Sequence, residues 1–166
     1  METLSNIEAI ERMAIAIVVG ALVGFERERL DKPAGLRTYM LVCEGAALFM
    51  IASLLIGEQV RAMGGASYDP SRIASTVVQG IGFLGGGAII TSGGRVRGLT
   101  TAAGIWVVAA LGILIGAGFY LISFAATALT LVGLVGLSGV DGWLRRRSGN
   151  SVNKPNDGEG DPPDAA

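Results

Sequence analysis

One carboxylate stands in a stretch that otherwise carries no charge. Glu44 is the single acidic or basic residue in 38–57. In a helix beginning at Leu36 it lies about 13 Å along the axis at roughly 1.5 Å per residue, near the midplane of a hydrocarbon core about 30 Å thick. An ionised carboxylate is costly there, so Glu44 is expected to be protonated, paired or beside water. It is therefore either a proton or cation contact or a neutral, hydrogen-bonded structural acid. Arg37, two turns earlier on the same face, is one candidate partner. Gln79, Thr76, Thr91, Thr100 and Thr101 add groups able to hydrogen-bond between helices.

Three further motifs carry polar chemistry. Glu26-Arg27-Glu28-Arg29 alternates in sign and reads as a solvated turn or as a charged docking site. Asp69-Pro70-Ser71-Arg72 reads as an N-cap, a proline at the first helical position and the first turn. Arg72 opposes the helix dipole there and is expected to answer a carboxylate or a lipid phosphate. In Gly80-Ile81-Gly82-Phe83-Leu84-Gly85-Gly86-Gly87 the glycines weaken a helix by about 1 kcal/mol each relative to alanine. Either the helix packs very closely at Gly82, Gly85 and Gly86, or it breaks so that backbone groups can meet an ion. The run follows no strand and lacks a GKS/T element, so it is not a phosphate loop.

Other chemistries are excluded by composition. The chain has no histidine, which removes the usual zinc sites and every histidine-based general base. Its one cysteine, Cys43, cannot form an internal disulfide and reads as a small buried hydrophobe. A nucleophile–base pair is not evident, so no enzymatic activity, catalytic residue, cofactor or metal site is expected. A net charge of −1 offers no footprint for nucleic acid.

The elements that hold these residues must lie in a membrane. Apolar residues and glycine together make roughly 65% of the chain, against about 45–50% in ordinary globular proteins, while charged residues are only 16%. So few polar side chains could not cover so much apolar surface in water. Runs with little or no charge mark the spans. Residues 13–25 form the first, extended upstream past Glu8, Glu11 and Arg12; 38–57, with Glu44 as its one charge, and 73–94 form the next two. The run 98–140 is too long for one crossing and right for two, broken at Gly116-Ala117-Gly118. The expected fold is all-α, with five transmembrane helices over residues 1–140. The acidic leading region (Glu2, Glu8, Glu11) argues that the first span is retained rather than cleaved.

Basic residues set the orientation. Arg27, Arg29, Lys32 and Arg37 fall between spans 1 and 2, Arg95 and Arg97 between spans 3 and 4, and Arg145, Arg146, Arg147 and Lys154 after span 5. Arg12, Arg61 and Arg72 occupy the other side. The larger group belongs inside, which puts the N-terminus outside and the C-terminus in the cytoplasm. Residues 141–166 are expected to form a polar, disordered cytoplasmic tail, with Trp143 anchoring the end of span 5 at the interface. Within the spans, Gly20 with Gly24, Gly82 with Gly86, and Gly112 with Gly116 are each four apart on one face. They serve packing inside one protomer or a homodimer face.

Taken in order, Gly24-Phe25-Glu26-Arg27-Glu28, Lys32-Pro33-Ala34-Gly35-Leu36-Arg37-Thr38, Asp69-Pro70-Ser71-Arg72, the run from Gly80 to Gly87, and Gly98-Leu99-Thr100-Thr101-Ala102-Ala103 resemble the membrane domain of the MgtC/SapB family. The resemblance runs from about residue 9 to residue 137. It implies a five-helix, multi-pass protein of the bacterial inner membrane with its C-terminus inside. Members similar to MgtC are tied to growth under low magnesium and to survival in macrophages. The resemblance implies a regulator that binds other membrane proteins, such as the proton-translocating ATP synthase or a transporter, in contact with membrane lipids. A magnesium or other cation transporter with Glu44 in its pathway is the alternative. MgtC-like members also carry a folded cytoplasmic domain after the fifth helix. The polar tail is expected to stand in its place here, so roles that depend on that domain, virulence among them, are not expected to carry over. Glu44 stands where the family pattern is apolar, and Thr76 and Gln79 where it more often has Gln and then Ser.

Overall fold

Local sequence signals set most helix ends in the computed structural model, which describes residues 4–65, 68–92 and 95–149. The elements are α1 (Asn6–Arg29), α2 (Leu36–Ala62), α3 (Ser71–Gly87), β1 (Ile90–Ser92), β2 (Arg95–Arg97), α4 (Leu99–Gly116) and α5 (Tyr120–Gly149). Ser5 caps α1 by accepting from the Glu8 amide at 3.1 Å, and Arg27 and Arg29 occupy its last turn, where the dipole favours cations. α2 starts after Gly35, and Glu28 supplies its cap from across the loop, accepting from the Leu36 amide at 3.0 Å. Asp69 accepts from the Ser71 amide at 2.9 Å, so α3 starts one residue later than the proline rule places it, with Pro70 at the N-cap. The break at 116–118 is a Schellman ending. Gly118 has φ +87°, its amide bonds to the Ile115 carbonyl, and the Phe119 amide bonds to the Leu114 carbonyl, both at 2.9 Å.

Among the described residues there are five helices, with two departures from the expected boundaries. The third expected span, 73–94, is helical only to Gly87; its remainder and Arg95–Arg97 form an antiparallel hairpin pairing Ile90 with Arg97, Thr91 with Val96 and Ser92 with Arg95. A charge-free run cannot distinguish a buried helix from a short strand leading into Gly93-Gly94, which is a hairpin-turn sequence. The glycine run does not break α3, which is continuous through it. The second departure is α5, which crosses residue 140 and remains helical to Gly149. The expected tail from 150 onward and the Trp143 side chain lie outside the described residues. The described residues divide into two units at Leu131: the first holds α1 to α4, the hairpin and the start of α5, and the second carries the rest of α5.

The first unit is centred on α2, with α1 and α4 against it. Glycine makes both contacts close. A Cβ at Gly20 would lie 2.7 Å from the Tyr39 carbonyl oxygen and 2.9 Å from Met40 Cα; one at Gly24 would lie 2.8 Å from Leu36 Cα. Gly112 abuts the Cys43 carbonyl, and a Cβ at Gly116 would lie 2.7 Å from the Ala47 oxygen. Two of the three glycine pairs therefore pack within the protomer. The third differs: at Gly82 and Gly86 nothing lies within 4 Å of a Cβ, and of the neighbouring run only Gly85 packs, with Ala102 atoms 3.6 to 3.9 Å away.

Small residues and a few large ones are buried, Tyr39, Leu111 and Ile115 among the latter, while many large apolar side chains lie on the outer surface. Ala16, Val23, Ala47 and Val108 are buried completely, whereas Leu41, Phe83, Leu121 and Leu129 are between 67% and 84% exposed. By length and composition, α2 and α4 are each long and apolar enough to cross a bilayer.

Candidate functional site

The ends of α1, α2 and α4 meet in a polar cluster built around Tyr39. Its ring is fully buried because Gly24 on α1 and Gly104 on α4 leave room for it, and its hydroxyl donates to the Thr101 carbonyl at 3.2 Å. Beside it, Arg27 is 3% exposed and pairs with Glu26 through both carboxylate oxygens, its Nη2 lying 2.8 Å from Oε1. The pair is fork-to-fork, the geometry that best offsets the desolvation of two buried charges. The solvated-turn reading of 26–29 is thus corrected for its first two residues, and Arg27 cannot be a docking charge. Glu28 and Arg29 are exposed, but the Glu28 carboxylate is occupied in capping α2. Of the candidate residues, the fold brings Glu26, Arg27 and Thr101 together. It places Thr100 on the exposed first turn of α4 and Arg37 on the exposed first turn of α2.

A second polar cluster lies at the opposite end of these helices. Arg12, 8% exposed, donates to the Gly116 carbonyl at 2.6 Å and to Glu8 Oε1 at 2.5 Å, closing the C-terminus of α4 with a cation. Ser53, also buried, bonds the Tyr68 hydroxyl at 3.3 Å, and Glu58 accepts from the Leu4 amide at 3.1 Å. Sequence reasoning counted Arg12 as an outside charge and passed over Tyr39. The Glu8–Arg12 spacing of four was the available signal for the first. Tyr39 had none, because its role depends on glycines from two other helices.

Glu44 is half-buried on α2, and among the described residues no ion pair or hydrogen bond reaches it; the Arg37 partnership is not formed. Gln79 is exposed on α3 and does not meet Glu44. Thr76 donates to the Arg72 carbonyl of its own helix at 3.0 Å rather than to a neighbouring helix. Arg72 and Asp69 are exposed together at the start of α3. The Ser71 hydrogen bonds hold the Asp69 carboxyl below the usual carboxylate range, and Arg72 lowers it further. Between α2 and α3 runs an apolar groove of about 560 Å³ lined by Leu41, Phe49, Val77 and Leu84, with Gly45 and Gly80 among its walls. Among the described residues no group of three acidic or sulfur side chains is placed to hold a metal.

Comparison with known proteins gives the arrangement a context. A family model described as the MgtC family matches residues 13–143. The chain is 43% identical over 127 residues to the candidate magnesium transporter YhiD of Escherichia coli (strain K12), covering 76% of this chain and 59% of that protein. It is 48% identical over 120 residues to Protein MgtC of Brucella abortus (strain 2308), covering 72% and 46%. With Protein MgtC of Salmonella typhimurium (strain LT2) the figures are 43% over 116 residues, 70% and 46%. The chain thus spans about half the length of the curated relatives it matches. No solved structure matches it.

Proposed function

The chain belongs to the MgtC family, and on that basis we propose a bacterial inner-membrane protein, linked to magnesium limitation, that acts without catalysis of its own by binding other membrane proteins. It crosses the membrane five times, with its N-terminus outside and its C-terminus in the cytoplasm. The membrane reading is supported by the large apolar side chains left outside: Leu121, Phe83 and Leu129 face outward, while glycine makes the closest helix crossings. In water that arrangement would expose the residues with most to gain from burial; in hydrocarbon it costs nothing, and close backbone packing supplies the association energy.

The docking reading rests on one observation, the open face of α3. Where helices cross closely in this chain, at Gly20, Gly24, Gly104, Gly112 and Gly116, the glycine admits a neighbour. Gly82 and Gly86 form a surface of the same kind, with nothing within 4 Å among the described residues. Such a face suits a transmembrane helix of a larger machine, an ATP synthase or a transporter being the partners the resemblance suggests. The second reading, cation transport, is favoured by the half-buried carboxylate of Glu44, to which the described residues bring no ion pair or hydrogen bond.

The experiment that separates them measures magnesium and proton flux in liposomes, wild type beside Glu44→Gln. Growth at low magnesium is scored in parallel for Gly82→Leu with Gly86→Leu. Absent flux, with growth lost in the glycine variant at normal protein level, is the expected result. Flux that disappears in Glu44→Gln overturns the regulator in favour of the carrier.

A further inference from the structure

We propose that the β1–β2 hairpin is an interfacial element that binds the phosphate groups of anionic phospholipids. The inference rests on the membrane reading above. A ladder of two three-residue strands is at best marginal in water without a surface to lie on. Its root is fixed: Gly98, with φ +90°, lies so close to the Ala88 carbonyl that a side chain would overlap it, tying the end of β2 to the end of α3. Beyond that root the apolar residues are open, with Ile90 58% and Val96 53% exposed, and Leu99 similarly exposed at the start of α4.

Charge supplies the second half of the argument. No aspartate or glutamate occurs anywhere in 73–140, so Arg95 and Arg97 have no counter-ion in their own helix–hairpin–helix segment. Arg97 is exposed, and the ion pairs among the described residues are Glu8–Arg12 and Glu26–Arg27. At the same end of the bundle Glu26 is held by Arg27 and Glu28 by the α2 N-terminus. The register pairs Arg97 with Ile90 and Val96 with Thr91. Arginines interleaved with exposed isoleucine and valine need a partner that is anionic at its surface and apolar just below. A leaflet containing anionic phospholipid meets both demands at once. An acidic protein surface would answer the arginines and leave Ile90 and Val96 in water.

The test uses the full chain with Cys43→Ala and a fluorophore on Thr91→Cys, reconstituted in phosphatidylcholine vesicles. Brominated phosphatidylglycerol or brominated phosphatidylcholine is included at equal mole fraction as quencher. A second label on Leu48→Cys, exposed on the middle of α2, reports insertion. The hairpin label is expected to be quenched preferentially by the glycerol lipid. Each arginine contributes about fivefold in relative association, so Arg97→Gln lowers the preference about fivefold and Arg95→Gln with Arg97→Gln about 25-fold. Lysine at both positions retains it, which separates charge from folding. Equal quenching by the two lipids, or a preference that survives the double glutamine variant, overturns the proposal. A hairpin label shielded from both lipids while the Leu48 label is quenched also overturns it, and points to a protein covering the hairpin. An unquenched Leu48 label sinks the membrane reading itself.

Discussion

Alanine at Gly20 and alanine at Gly82 should change stability in opposite directions, although both replace a glycine inside an apolar helix. At Gly20 the new methyl would meet the Tyr39 oxygen at 2.7 Å, Cys43 Cβ at 2.9 Å and Met40 Cα at 2.9 Å. Comfortable separation of such atoms is about 3.5–4.0 Å. Two of the three obstacles are backbone, so relief requires α1 and α2 to move apart by most of an ångström along their shared face. Overpacking of this kind costs about 1–3 kcal/mol, and the gain in helix propensity returns about 1 kcal/mol, leaving a net loss of up to about 2 kcal/mol. At Gly82 no atom lies within 4 Å of the methyl, so only the propensity term acts, and the variant should gain about 0.5–1 kcal/mol. Reversible unfolding in mixed micelles, monitored by circular dichroism, would measure both. The reasoning fails if Gly82→Ala destabilises as Gly20→Ala does, because α3 would then be packed against something at that face. A stabilised Gly82→Ala that is nonetheless impaired in cells would locate the missing neighbour in another protein.

Three further outcomes follow from the polar clusters. Glu26→Ala leaves the buried Arg27 guanidinium unpaired and should cost about 3–5 kcal/mol, while Glu26→Gln with Arg27→Met should cost much less; a double-mutant cycle in mixed micelles checks both. Tyr39→Phe removes the bond to the Thr101 carbonyl and should cost about 0.5–1.5 kcal/mol, seen as faster amide exchange in the first turns of α4. Asp69 is held below the usual carboxylate range, so its capping of α3 is fully present above that range and is lost as pH falls through the lowered value. Amide exchange at Ser71 should therefore accelerate on acidification in the wild type and be insensitive to pH over that interval, after correction for intrinsic rates, in Asp69→Asn.

The helices were legible because apolar length and turn chemistry are local properties. Gly116-Ala117-Gly118 marks the end of α4 whatever surrounds it, since only a left-handed residue completes that ending. The end of α3 was misplaced for an equally local reason: 73–94 is uniform in charge, and absence of charge does not separate the helix that ends at Gly87 from the strand Ile90–Ser92 that follows it. The site was less legible because it depends on which residues other helices bring. Glu26 and Arg27 read as solvated until Tyr39 and the start of α4 enclose them, and Glu28 read as a docking charge until the loop folds it onto Leu36.

Glycine shows the difference in its sharpest form. The pairs Gly20–Gly24, Gly82–Gly86 and Gly112–Gly116 are indistinguishable as sequence, each placing two glycines on one helical face. Only the fold divides them, with α2 filling the first and third and leaving the second open. A glycine that admits a neighbour offsets its conformational cost through contact, whereas Gly82 and Gly86 carry the cost with no such return inside the protomer. A helix can retain that weakness if an outside partner makes the contact. The open face on α3 is thus bound to the proposed regulation by the same physics that closes α1 and α4 onto α2.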